Sequence, residues 1–194
     1  MSSASPRLID SFRVEIKETK LPGAFLVRLE QHSDERGFFA RAFCEREFET
    51  HGLPVRFPQM NLSRNRVAGT LRGMHYAAFP HREAKLVRCV NGAIFDVIVD
   101  LRKGSPSWGT WLGVELDSQT GNALFIPEGM AHGFITLRDE TDVFYQMGSF
   151  YEPGAARGFR YDDPKFGIAW PREPAVISAR DAGYPDFDER AFDG

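Results

Sequence analysis

The stretch KLVRCVNGAIFDVIVDLR, residues 85–102, limits the possible folds more than any other. Asn91-Gly92 divides it into two apolar runs, and both turn residues accept positive φ, so the pattern predicts a β-hairpin. On the second run Phe95, Val97, Val99 and Leu101 share one face, and Ile94, Asp96, Ile98 and Asp100 share the other. Asp96 and Asp100 read as structural carboxylates, ion-paired or hydrogen-bonded, with Arg88 and Arg102 close by in sequence. Short apolar runs at residues 24–30 and 37–43 also read as strands, as do SWGTWLGVEL, NALFIPEG, HGFITLRD and DVFYQM further on. Residues 44–52, charged and closed by Gly52, are the best helix candidate. From Tyr151 the pattern loosens into loops and short helices expected to pack over the β core. Eighteen Gly, twelve Pro and seventeen Phe suit the many turns and aromatic core of an all-β sandwich or barrel.

The 194 residues fit one domain, 1–194, in which residues 1–11 read as a loose leader. A net charge of −3 lacks the basic excess that nucleic-acid binding brings. Two cysteines, Cys44 and Cys89, give neither a disulfide framework nor metal-ligand spacing, so a reducing cytoplasm is expected. The start does not read as a secretory signal, and no apolar run has the length a membrane helix needs.

Two segments carry chemistry. GNALFIPEGMAHGF, residues 121–134, has G-x5-P-x-G-x2-H spacing through Gly121, Pro127, Gly129 and His132. This resembles the second motif of the cupin barrels, in which the turn delivers an inward-pointing histidine; the alternative is a turn before a histidine that merely packs. The companion cupin motif would bring H-x-H, but here Gly73 and Ala77 flank His75 at those offsets. His75 and His132 make two ligands at most, so a metal-independent site is expected. The second segment, GTLRGMHYAAFPHREAKLVR, holds Arg72, His75 and Lys85. An imidazole is the natural general base at neutral pH. On a regular strand Arg72 and His75 would face opposite ways, but Gly73 can support a bulge that turns both into one cavity. Lys85, beyond the Pro80 break, returns to the same mouth. Taken singly, each is more often a structural or solvated group.

Five segments together carry a resemblance: FPQMNLSRNRVAGTLRGMHY, KLVRCVNGAIFDVIVDLRKGSPSWGTW, IPEGMAHGF, VFYQMGSFYEP and DDPKFGIAWP. In this order and spacing, from Phe25 to Asp181, they are similar to the dTDP-4-dehydrorhamnose 3,5-epimerase family, which are metal-independent cupins. The resemblance implies a cupin double-stranded β-helix, or jelly roll, with a few short peripheral helices. It also implies a cofactor-free isomerase acting on a nucleotide-linked 4-keto-6-deoxyhexose, in deoxysugar supply for polysaccharide or a glycosylated metabolite.

Site roles follow by the same resemblance. His75 is the base, and Asp181, in SARD, its carboxylate partner; Lys85 stabilises the enolate, and Tyr145, in DVFYQM, is the opposing acid. A strand aromatic packing on the core is the plainer reading of Tyr145 alone. Arg72 and Arg36 match phosphate-contacting positions, Gln59, Asn61 and His132 surround the sugar, and Phe39 and Tyr151 neighbour the base. A homodimer with exchanged N-terminal strands is implied, in which residues 36–41 complete the neighbour's site.

Three departures bear on specificity. Arg41 stands where dTDP-specific relatives often carry Glu near the pyrimidine, Ala77 replaces a Gln after the HY pair, and Arg180 replaces a Lys. Cytosine N3 accepts where thymine N3–H donates, so a CDP-linked sugar is an alternative substrate. A mono-epimerase at C3 or C5 is a second alternative. A non-catalytic sugar-nucleotide binder is a third, but it would not need His75, Asp181 and Tyr145 together. A metal-dependent cupin dioxygenase lacks ligands.

Overall fold

The computed structural model describes residues 13–190 and 192, so the expected leader lies outside the described residues. In chain order the first strands are β1 (Val14–Glu18), β2 (Phe25–Leu29), β3 (His32–Asp34) and β4 (Gly37–Phe39), followed by α1 (Glu45–Thr50). Next come β5 (Gln59–Asn65), β6 (Thr70–Ala77), β7 (Lys85–Asn91), β8 (Ala93–Asp100) and β9 (Trp111–Asp117). The chain continues through β10 (Ala123–Ile126), β11 (Met130–Thr136), β12 (Thr141–Met147), β13 (Ala156–Gly158), β14 (Val176–Ile177) and α2 (Ala179–Ala182).

Two sheets form a jelly roll. One has the order β1-β2-β10-β7-β12-β5, the other β13-β6-β11-β8-β9 with β14 against β6, and β3-β4 stand apart as a hairpin. Between the sheets lie Val87, Cys89, Ile94, Ile98, Leu116, Leu124, Phe134 and Val143. The opposite face of β8 also needs cover: Val97 and Val99 pack under Phe159, Phe166, Phe187 and Phe192 from the loop-rich tail. α1 covers the outer face of the other sheet, with Phe48 against Val27, Leu86 and Phe125. The tail and the helix are therefore where sequence reading placed them.

Two local expectations are corrected. Asn91-Gly92 does not close a hairpin, because β7 pairs with β10 and β12 while β8 pairs with β11 and β9. Gly92 does take positive φ, +78°, but uses it to cross from one sheet to the other. A Cβ there would lie 2.3 Å from Thr141 Oγ1, so only glycine fits this corner. The strand expected over 37–43 ends at Phe39. Beyond it Phe43 packs on Phe48 and Phe57, and the Ala42 carbonyl accepts from Arg88 Nη2 at 2.8 Å instead of from a neighbouring strand. Arg88 therefore spends its charge on main-chain carbonyls, and burial draws its pKa down to about 10.

Asp100 matches its structural reading. Its fully buried carboxylate accepts from Arg102 Nε (2.9 Å) and Nη2 (2.7 Å), and from the hydroxyls of Ser105 (2.6 Å) and Ser107 (2.7 Å). Burial pushes this carboxyl up, but the hydrogen bonds of Arg102, Ser105 and Ser107 outweigh it and hold the pKa at about 2. Because that value is below the unfolded one, the contribution is complete above pH ~4 and fades as pH falls toward 2. Asp100→Asn is expected to lower unfolding stability at pH 7 by about 3 kcal/mol, measured by urea denaturation. The variant should also lose part of the wild type's decline between pH 4 and pH 2.

Candidate active site

β6 decides the site. Its register against β11 pairs His75 with His132 and Arg72 with Phe134, so two residues on β6 stand opposite Gly133 alone. This bulge cancels the strand alternation, and Arg72 and His75, three apart, line the same cavity. Gly73 permits it: φ is +134°, and a Cβ would lie 2.6 Å from Gly133 Cα. The Gly73 N–H at the bulge donates to Asp181 Oδ2 at 3.2 Å.

The cavity, about 300 Å³, opens between the sheets and is lined by Asn61 and Ser63 of β5, Arg72 and His75, Lys85 of β7, His132 of β11 and Tyr145 of β12. A second hollow of about 210 Å³ shares His75 and Lys85 with it and adds Glu83, Tyr151 and Arg180. Of the four expected catalytic residues, His75, Lys85 and Tyr145 line the cavity, and Asp181 reaches it through His75. His75 Nε2 lies 2.8 Å from Asp181 Oδ1, although 106 positions separate them in sequence. α2 brings the aspartate in: Ser178 caps that short helix, its hydroxyl accepting from the Asp181 N–H at 3.0 Å. Burial alone would raise the Asp181 carboxyl. Hydrogen bonding and charge from His75, with the Gly73 N–H and Ser178, instead hold it below the ordinary carboxylate range. An ionised carboxylate only accepts, so Nε2 carries the proton and Nδ1 keeps the basic lone pair.

Tyr145 is driven the other way. Burial raises its phenol well above the ordinary tyrosine value and the Asp96 charge adds to this, against smaller opposing effects from Ser63 and Arg72. It therefore stays protonated through neutral pH. Lys85 Nζ sits 3.1 Å from Glu83 Oε1, and its side chain is 10% exposed.

Other expected residues divide. Asn61, Arg72 and His132 line the main cavity and Tyr151 the second hollow, while the Gln59 side-chain carbonyl braces that rim by accepting from the Tyr151 N–H. Arg36, Phe39 and Arg41 do not line either hollow. Arg36 is 84% exposed and paired with Asp34, and Arg41 lies 3.6 Å from Glu47. Among the described residues, no three or more His, Cys, Asp or Glu gather as a metal-binding group. Nor is any described helix long and apolar enough to cross a membrane.

Known proteins resemble this chain over most of its length. A family described as dTDP-4-dehydrorhamnose 3,5-epimerase matches residues 18–189. The chain belongs to the dTDP-4-dehydrorhamnose 3,5-epimerase family. A family member from Methanothermobacter thermautotrophicus is 43% identical over 175 residues, covering 89% of this chain and 94% of its own. The crystal structure of the Bacillus anthracis enzyme with TDP and PPi bound superposes with TM-score 0.87 at 35% identity, covering 90% of this chain and all (100%) of that one. The Legionella pneumophila enzyme, in complex with dTDP-4-keto-L-rhamnose, gives TM-score 0.84 at 36% identity, covering 90% and 93%.

Some neighbours of this epimerase-family site are not picked out by sequence reading. Asp96 is fully buried, and its Oδ1 stands 2.7 Å from His132 Nε2. Its placement on the Ile98 face was legible; its meeting with His132 depends on the β8–β11 register. The Tyr184 ring packs edge-on to His75 with centroids 6.0 Å apart, from a loop whose sequence has no periodic signal. Asn65 and Ser63 follow Asn61 at alternate positions of β5 and so share its face, a signal that sequence reading left unused.

Proposed function

We propose that this single-domain chain converts dTDP-4-dehydro-6-deoxyglucose to dTDP-4-dehydrorhamnose, inverting C3 and C5 without a cofactor. The observation that carries this reading is the convergence of the His75–Asp181 pair, Lys85 and Tyr145 from four separate elements. A ketone acidifies the C–H bonds on both flanking carbons. His75 Nδ1 takes one such proton, the C–H pair moves into the C–C bond, and the carbonyl π pair moves to oxygen, giving an enolate. The Lys85 ammonium meets that oxygen's charge, a stabilisation that grows as the transition state forms. Tyr145 then protonates the carbon from the opposite face and is recharged by solvent, while His75 releases its proton to solvent.

Arg72 holds the diphosphate, a ligand suited to a forked guanidinium. Asn61, His132 and Gln59 surround the sugar, and Tyr151 stacks at the nucleotide end. A homodimer with exchanged N-terminal strands would bring Arg36, Phe39 and Arg41 to the neighbouring site. The detached β3–β4 hairpin and its 65% exposed Phe39 support that arrangement. We place the enzyme in the cytoplasm, supplying deoxysugar for polysaccharide or a glycosylated metabolite.

The deciding experiment offers dTDP- and CDP-4-keto-6-deoxyglucose in deuterated water and locates the label by NMR. Deuterium at both C3 and C5 of the dTDP sugar, with inverted product, is the expected result. Label at one carbon alone would make the chain a mono-epimerase, and preference for the CDP sugar would reassign the nucleotide. Saturable binding without any exchange would make it a binder. In the same assay Tyr145→Phe is expected to retain most deuterium entry while forming inverted product about 100-fold more slowly. Unchanged inversion would remove Tyr145 as the acid.

A further inference from the structure

Asn65 ends β5 beside the cavity with 2% exposure, and hydrogen bonds occupy both ends of its amide. Nδ2 donates to the main-chain carbonyls of Thr141 (3.1 Å) and Ser63 (3.3 Å). Oδ1 accepts from Arg72 Nε at 2.8 Å and from the Ser63 hydroxyl at 3.4 Å. The two carbonyls can only accept, so the NH₂ group must face them and the amide cannot flip. Its oxygen is thereby aimed at the Nε of Arg72, a residue that lines the cavity.

We propose that Asn65 is a positioning residue for diphosphate recognition: by holding Arg72 at Nε, it turns the guanidinium's terminal nitrogens toward the ligand as a fixed fork. This rests on the assignment of Arg72 to the diphosphate. A free arginine side chain must lose rotamer freedom when it grips two phosphoryl oxygens, and an arginine already held at Nε loses less. A buried neutral acceptor suits this task. A carboxylate in its place would offset the positive charge that the ligand needs and would face two carbonyls without donors.

A double-mutant cycle read by calorimetric binding of dTDP tests the proposal. Arg72→Ala is expected to weaken dTDP by about fiftyfold and Asn65→Ala by about tenfold. The double variant should bind within about twofold of Arg72→Ala, since Asn65 acts only through that guanidinium. With the keto-sugar substrate, the Asn65→Ala loss should fall more on KM than on kcat, as expected when a binding contact is misplaced. Wild-type affinity in Asn65→Ala, or losses that simply multiply in the double variant, would overturn the proposal. Should Asn65→Ala fold poorly, Arg72→Lys serves instead. It keeps the charge but has no Nε–H to hold, so affinity near the Arg72→Ala level is expected and wild-type affinity overturns the role. If Arg72→Ala itself binds dTDP normally, the diphosphate assignment fails and this role fails with it, while His75-dependent exchange stands apart.

Discussion

His75→Ala is expected to slow deuterium entry into the 4-keto sugar by about four orders of magnitude, near the upper end for loss of a positioned base. The geometry leaves no substitute. Asp181 lies behind the ring with a 7% exposed side chain and is held as a weak base by its hydrogen bonds. Tyr145 is protonated and too feeble an acid to supply a phenolate at neutral pH. His132 lines the same cavity, but it is 5% exposed and its ring is packed against Phe134 and Tyr145, with centroids 6.4 and 6.3 Å away. Adding imidazole should recover part of the lost exchange, because the substitution leaves a ring-sized space next to a carboxylate still poised to accept an N–H. Binding of dTDP should survive. Exchange at the wild-type rate in His75→Ala would remove the base assignment and the mechanism built on it.

Part of this fold and site is legible in the sequence, and the limits have physical causes. Composition and the spacing of apolar runs implied an all-β barrel because strand alternation is local. Arg72 and His75 were harder, since regular alternation opposes them. Gly73 was the warning that alternation breaks there, and the β6–β11 bulge shows how it breaks. Asn91-Gly92 misled in an instructive way. The pattern reports a backbone that takes positive φ, and Gly92 does so, but whether a tight turn folds back or crosses to another sheet depends on partners distant in sequence. The Asp181 partnership came from resemblance to a family, because no local pattern links a residue on a four-residue helix to a ring 106 positions away. The contacts of Asp96 with His132 and of Asn65 with Thr141 and Arg72 depend on cross-strand geometry, which no single segment contains. Arg36 and Arg41 mark another boundary: they line neither hollow of this chain, and no local pattern in their segment ties them to one.

Asp181→Asn is expected to lower the exchange rate by about three orders of magnitude, although the substitution is nearly isosteric. The carboxylate accepts at both oxygens, from His75 Nε2–H at 2.8 Å and from the Gly73 N–H at 3.2 Å. An asparagine offers one oxygen and one NH₂. If its oxygen faces Gly73, the NH₂ donates to His75 Nε2 and forces the ring proton onto Nδ1, which removes the lone pair that would take the substrate's proton. If its oxygen faces His75, the NH₂ opposes the Gly73 N–H and strains the bulge that aims both His75 and Arg72. Nitrogen-15 NMR of the imidazole separates these cases: the wild type should show the Nε2–H tautomer, and the variant either the Nδ1–H tautomer or a disturbed β6. The sign of the acid dependence follows from the same contacts. Because the folded Asp181 carboxyl lies below its unfolded range, its contribution to stability is complete above that range, near pH 4, and is lost as pH falls through the folded value. Asp181→Asn should flatten that acid decline. An unaltered tautomer together with wild-type exchange would show that the imidazole at position 75 works without its carboxylate, and the pairing across the bulge would then be only structural.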